Sequence, residues 1–167
     1  MSPSSRLRWL WLTLAVVLLD RASKAWFEAR TLEGWRHEVI HNFIYLVHSQ
    51  NPGIAFGVLA DSASTTTRVI LIAGSLLVIG VLAWLLVSGK IPSPLGNAGL
   101  ALLLGGAAGN VADRIFHGAV TDFFELWLGT YHYAAFNVAD SAITTGAVLI
   151  LLDILLGRKQ ETPQQAS

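Results

Sequence analysis

The sequence predicts an all-α membrane protein of four transmembrane helices, with a small extracytoplasmic β-sheet built from its two outer loops. Three observations lead there. The 167-residue chain is 53% hydrophobic and only 13% charged, against roughly 25% charged residues in an ordinary soluble domain. Its apolar residues fall in four runs, each near the ~20 residues that cross a bilayer core. Between those runs lie two polar segments with strand-like stretches, 28–67 and 114–133. The whole chain, 1–167, therefore reads as a single integral membrane domain.

Helix 1 is expected over 7–27. Residues 6–19, RLRWLWLTLAVVLL, combine a basic start with an apolar run, a pattern shared by cleaved secretory leaders. No small-x-small cleavage site follows. Instead DRASK continues the helix, with Ala25, Trp26 and Phe27 carrying the apolar pattern on, so the run reads as a retained span. Asp20 and Lys24 then sit one turn apart, as either a structural i,i+4 pair or functional groups at membrane depth.

The first polar loop holds two β-prone pieces, HNFIYLVHSQ and GIAFGVLA, and the turn signal Asn51-Pro52-Gly53. Residues 64–67 offer helix caps for helix 2, expected over 68–88, where 69–87 carry no charge. A short turn through Gly89 and Pro92 leads to helix 3, 95–113, whose Ala101, Gly105 and Gly109 form a small-residue stripe for close helix packing. The second loop contains a strand-like VTDFFELWL and the interfacial aromatics Trp127, Tyr131 and Tyr133. Helix 4, 134–156, puts Asn137, Asp140, Ser141 and Thr144 on one face, which is expected to look into the bundle. Asp153 lies roughly 20 Å further along, near the opposite surface.

Arg6, Arg8, Lys90, Arg158 and Lys159 fall on the side of the two termini, in short segments close to the membrane. The other six basic residues fall on the opposite side, so the raw count runs against the positive-inside rule. The density of charge in short segments beside the membrane nevertheless makes the terminal side cytoplasmic, and the two loops and the aspartates are expected to face outward. Eleven basic and eleven acidic residues cancel. No basic face calls for a nucleic-acid partner. The absence of cysteine excludes disulfides, a thiol nucleophile and thiolate metal ligands. Any nucleophile is oxygen, nitrogen or water.

Two constellations could carry chemistry. The first, HEVIH at 37–41, matches the zinc-protease pattern, which requires a helix to aim both histidines at one metal. Val39, Ile40 and the following NFIYLV favour a strand, on which residues four apart stand about 13 Å apart, too far for one ion. The second is Asp122 and Asp140, which a helical hairpin brings together at one membrane surface. Two carboxylates sharing a site cannot both ionise comfortably, so one keeps a proton while the other acts as base. Such a pair can activate water for amide hydrolysis. The pattern by itself leaves a structural hydrogen-bonding pair, a cation site and a proton relay open.

DRASK at 20–24, NPGIAFG at 51–57, GGAAGNVADR at 105–114, VTDF at 120–123 and FNVADS at 136–141 resemble, in order, the signature blocks of bacterial lipoprotein signal peptidase, also called signal peptidase II. The resemblance implies a four-span aspartyl endopeptidase of the bacterial cytoplasmic (inner) membrane. Its substrates would be prolipoproteins carrying a diacylglyceryl group, cut just before the lipidated cysteine. It makes Asp122 and Asp140 the catalytic dyad. Asp20, Lys24, Asn51, Gly53, Asn110, Arg114 and Asn137 become substrate-binding or site-supporting residues. Asn137, one turn before Asp140, can orient it. Asn110 and Arg114, one turn apart, could meet the substrate backbone or a lipid headgroup. The sheet, drawn from 41–58 and 120–133, would act as a cradle over the site. No metal or cofactor is called for; phospholipid surrounds the chain, and a monomer is expected.

Other readings predict different patterns. A small proton-linked transporter would place carboxylates at several depths along one pore, whereas Asp20, Asp122 and Asp140 cluster near one surface. A noncatalytic assembly subunit gives no reason for five polar blocks. An HExxH metalloprotease would be sensitive to chelators.

Overall fold

The computed structural model describes residues 3–53 and 65–160, with side chains over 7–53 and 65–157. Most of the GIAFGVLA piece, residues 54–57 of the NPGIAFG block and the cap candidate Ser64 lie outside the described residues. So do the side chains of Arg6, Arg158 and Lys159. The elements run α1 (Pro3–Arg30), β1 (Arg36–Ile40), β2 (Ile44–Asn51), α2 (Thr65–Ser88), α3 (Pro94–Phe116), β3 (Val120–Leu128), β4 (Tyr131–Phe136) and α4 (Val138–Gln160). The fold is mostly helical, with one small antiparallel sheet in the order β1-β2-β3-β4.

Several boundaries differ from the sequence expectation, each for a local reason. α1 extends past 27 because the Thr31 amide and hydroxyl both donate to the Phe27 carbonyl, at 2.9 and 2.7 Å, and close its last turn. α3 runs beyond 113 to Phe116, where Arg68 donates from Nε to the Arg114 carbonyl (2.8 Å) and from Nη2 to that of Ile115 (2.9 Å). Those are carbonyls that a helix end leaves without intrahelical partners. α4 begins at Val138 rather than 134, because residues 131–136 pair with β3 as a strand. The two segments between helices accordingly begin at Thr31 and His117, the second running to Asn137.

Among the described residues, three helices are long and apolar enough to cross a membrane: Thr65–Ser88, Pro94–Phe116 and Val138–Gly157. α1 is not among them, since Asp20, Arg21 and Lys24 interrupt its apolar run. α3 packs against each of the other three helices. Its start is fixed by Ser93, whose side chain accepts from the Leu95 amide at 3.1 Å, with Pro94 at the position where a missing N–H costs nothing.

Small residues let α3 take that central place. A Cβ on Gly105 would sit 2.8 Å from Val16 Cβ of α1, and one on Gly109 would sit 2.7 Å from Asp20 Oδ2. The expected stripe thus faces α1, and Thr13 Oγ1 reaches the Ala101 carbonyl at 3.1 Å. A second stripe, not singled out in the sequence, faces α4: a Cβ on Gly99 would lie 2.7 Å from the Gly146 carbonyl oxygen. Further along α3, Leu100, Ala101 and Leu104 form a buried apolar cluster with Leu86 of α2.

Candidate active site

The strand-like stretch around 39–47 is a hairpin, which settles how the histidine motif is used. β1 ends at Ile40, and the turn through Asn42, at a left-handed φ of 52°, returns the chain as β2. Glu38 Oε1 accepts from the Asn42 amide (2.7 Å) and the Tyr45 hydroxyl (2.9 Å), and His41 Nδ1 lies 3.0 Å away. His37 stacks on Trp35. The glutamate of HEVIH therefore braces a turn.

The other end of β2 reaches the two aspartates. Asn51 closes the strand opposite Val120 of β3, and its Oδ1 accepts from the Gly53 amide at 3.0 Å. That local turn fixes the amide, leaving Nδ2 to donate to Asp122 Oδ2 at 3.1 Å. Asp122 sits on β3 and is only 2% exposed. Burial pushes its carboxyl up to about 7, and the nearby charge of Asp140 adds to the rise.

Asp140 is held by a reciprocal cap. Asn137, just before α4, accepts the Asp140 amide on Oδ1 at 2.9 Å, while Asp140 Oδ2 accepts the Asn137 amide at 3.2 Å. This is the capping-box arrangement with aspartate as the returning acid. With its oxygen committed, Asn137 turns Nδ2 to Asp122 Oδ1 at 2.7 Å, so one side chain bridges both aspartates. Asn110 of α3 donates from Nδ2 to Asp140 Oδ1 at 2.8 Å.

Asp122 and Asp140 line one cavity of about 190 Å³, together with Asn51, Asn110, Arg114 and Tyr133. Arg114 donates to the carbonyls of Asn110 (3.3 Å) and Gly53 (2.5 Å), tying the end of β2 to α3. Asp20 and Lys24 stand behind the cavity, not in it, paired at 2.6 Å. Ser141 and Thr144 are solvent- or lipid-facing rather than turned into the bundle, and border a second groove beside Asp140. Asn137 caps α4 from outside the helix, so the four do not share one helical face, and of that set Asp140 and Thr144 line the cavity.

Asp113 was not distinguished by sequence, though it lies within GGAAGNVADR three residues after Asn110 and so on nearly the same helix face. It is 2% exposed and meets both Arg21 (3.0 Å) and Lys24 (2.6 Å). Thr121 was also missed: its hydroxyl donates to Glu28 at 2.7 Å and accepts from Gln50 at 3.1 Å, joining α1 to β2 and β3.

A helical membrane bundle that gathers two carboxylates in one cavity, Asp122 buried on the small sheet and Asp140 half-buried at the start of α4, has the layout of a membrane enzyme. The fold is that of a solved bacterial membrane enzyme, with a TM-score of 0.83 over 96% of this chain and 94% of that one, at 24% identity. Residues 12–156 match the family described as Signal peptidase (SPase) II, and the chain belongs to that family of proteases, which remove signal peptides from prolipoproteins. Among its relatives is the lipoprotein signal peptidase of Solibacter usitatus, 41% identical over 92% of this chain and 95% of the relative. That of Pseudomonas putida is 39% identical over 95% and 92%.

Proposed function

We propose that this protein is an aspartic endopeptidase that releases the signal peptide from diacylglyceryl-modified prolipoproteins, cutting just before the lipidated cysteine. The observation that carries the reading is the shared cavity of Asp122 and Asp140, with Asn137 bridging them at 2.7 Å to the one and 3.2 Å to the other. Asp122, raised to about 7, is suited to hold the pair's shared proton near neutral pH. Asp140, whose two oxygens each accept an N–H, is the carboxylate that takes a proton from water.

In this scheme the water oxygen bonds to the scissile carbonyl carbon as Asp140 removes its proton and Asp122 protonates the carbonyl oxygen. The resulting tetrahedral diol collapses as the amide nitrogen takes a proton from Asp140 and the C–N bond breaks. One hydroxyl proton returns to Asp122. The products are a signal peptide ending in a carboxyl group and a free cysteine amine. No cofactor or metal enters the scheme.

α1 would be the fourth span, its charges neutralised against α3, giving four crossings of the bacterial inner membrane with both termini cytoplasmic. The sheet and dyad then stand near the outer surface, where a lipid-anchored substrate can be admitted sideways among phospholipids, and a monomer suffices. The test is cleavage of a diacylglyceryl-modified prolipoprotein in detergent by wild type, Asp122→Asn and Asp140→Asn, each with and without chelator. Loss in both variants, with wild type indifferent to chelator, supports the scheme. Cleavage by either folded variant, or its abolition by chelator, rules it out.

A further inference from the structure

Behind the dyad lies a buried charge cluster that the cleavage steps do not use. Lys24 Nζ is 2.6 Å from Asp20 Oδ2 and 2.6 Å from Asp113 Oδ2, and none of the three residues is more than 2% exposed. Each carboxylate has a second tie. Asp20 Oδ1 accepts the Ala139 amide at 2.9 Å, in the first turn of α4, and Asp113 Oδ1 meets Arg21 Nη1 at 3.0 Å. The cluster therefore joins α1, α3 and the start of α4 around one ammonium. Buried charges of this kind persist only when their partners are in place.

Lys24 has a third partner, and it leads to the dyad. Its Nζ donates to Asn110 Oδ1 at 3.2 Å, and Asn137 Nδ2 donates to the same oxygen at 3.3 Å. An amide whose oxygen receives two N–H donors has its NH2 group turned the other way. That NH2 is the one that donates to Asp140 Oδ1 at 2.8 Å. If the amide flipped, its NH2 would face an ammonium and a second NH2, while its oxygen would face a carboxylate. The ammonium thus fixes which end of Asn110 the dyad sees.

We infer that Asp113 is a positioning residue for cleavage: with Asp20 it holds the Lys24 ammonium against Asn110, so that Asn110 presents its NH2 to Asp140. Asp113 touches no substrate. Replacing it with asparagine leaves Lys24 drawn to Asp20 alone and off the Asn110 oxygen. The role rests on the dyad reading above, because it acts through Asp140.

The experiment is a double-mutant cycle of Asp113→Asn and Asn110→Ala, with kcat and KM measured on a diacylglyceryl-modified prolipoprotein and kcat expressed per folded molecule. Asp113→Asn is expected to lower kcat on the order of 10²-fold, the cost of a misplaced reacting group, with KM little changed. Asn110→Ala is expected to cost a similar factor, and the double variant no more than either alone, since both remove one interaction. Losses that multiply overturn the inference, as does a wild-type kcat in Asp113→Asn or an effect confined to KM. Should Asp113→Asn fail to fold, Lys24→Met, which keeps the length of the side chain and removes its N–H donor to Asn110, goes through the same cycle with the same criteria. Asp122→Asn and Asp140→Asn run alongside: activity in either removes the dyad and this role together, whereas an intact dyad with multiplying losses removes only the role of Asp113.

Discussion

α2 and α3 are both long enough to cross a bilayer, yet only 6% of the most apolar stretch of α2 is buried within the protein, against 61% of that of α3. α2 exposes Val69, Ile70, Leu77 and Trp84, the face a helix turns to lipid. α3 is lined with glycines that meet neighbouring backbone, and it carries Asn110, Asp113 and Arg114 at one end. The difference teaches that hydrophobicity marks where a membrane helix meets lipid, whereas small and polar residues mark where it meets protein. In a bilayer, apolar contact alone gives little reason for helices to associate. The more apolar helix is consequently the one least involved in the site.

The sharpest way to break this comparison is to remove chemistry from the α3 side while preserving shape. Asp140→Asn and Asp122→Asn are each expected to lower prolipoprotein cleavage by about 10²–10⁴-fold or more, the usual worth of a general acid or base. The assay is cleavage per folded molecule in detergent. A variant retaining near-wild-type turnover would separate the buried polar seam from function.

The site was legible in the sequence to the extent that its chemistry is local. The Asn137–Asp140 cap is a three-residue spacing, and the turn of Asn51 on Gly53 spans two. Both can be read as patterns. The cluster around Lys24 was only half visible, because its i,i+4 partner Asp20 is close in sequence and Asp113 is not. No periodicity reveals that two helices bring opposite charges together. The start of α4 was misjudged for a related reason: residues 134–136 continue the apolar run of the span, and only pairing with β3 makes them a strand. The glycines facing α4 were hidden behind a more regular stripe facing α1.

A second prediction concerns stability. Asp122 has a folded value near 7 against an ordinary value of 3.8, so between those values the folded protein holds a proton that the unfolded chain has released. Stability contributed by that proton is present at low pH and lost as pH rises to about 7. Asp122→Asn has no charge to bury. At pH 8 it should be the more stable protein by roughly 2–4 kcal/mol, less whatever is lost because one amide oxygen replaces two carboxylate acceptors. Thermal unfolding in detergent at pH 8 and pH 4 checks this. The melting temperature of the variant should exceed that of wild type at the higher pH, and the gap should close or reverse at the lower.

The glycine seam gives a smaller effect that bears directly on the two helices. Gly99→Ala would set a methyl 2.7 Å from both the Gly146 carbonyl oxygen and Ile150 Cγ1 of α4. Backbone cannot yield as a side chain tip does, so α3 and α4 must part, at a cost of about 1–3 kcal/mol. A lowered melting temperature is the expected result, and an unchanged one would mean that the seam is looser than its geometry. The histidines offer a contrast of function in place of packing. His37→Ala and His41→Ala should keep cleavage within about twofold, as expected of surface substitutions away from the site, because Glu38 keeps its bonds to Asn42 and Tyr45. Loss of activity in a folded His41→Ala would reopen the histidine loop as a working part.

The smallest effect belongs to α2. A Cβ on Gly80 meets nothing within 4 Å, so Gly80→Ala adds a methyl to open space on the lipid-facing helix. There is no neighbour to displace and no chain bond to lose. Alanine also restricts the helix backbone less unfavourably than glycine, a difference worth up to about 1 kcal/mol in water. Cleavage should be unchanged and the melting temperature equal or slightly raised, the opposite sign to Gly99→Ala. If instead Gly80→Ala lowers stability as much as Gly99→Ala does, α2 must meet a protein surface there, such as a second copy of the chain. The seam around α3 would then no longer be what distinguishes the two helices.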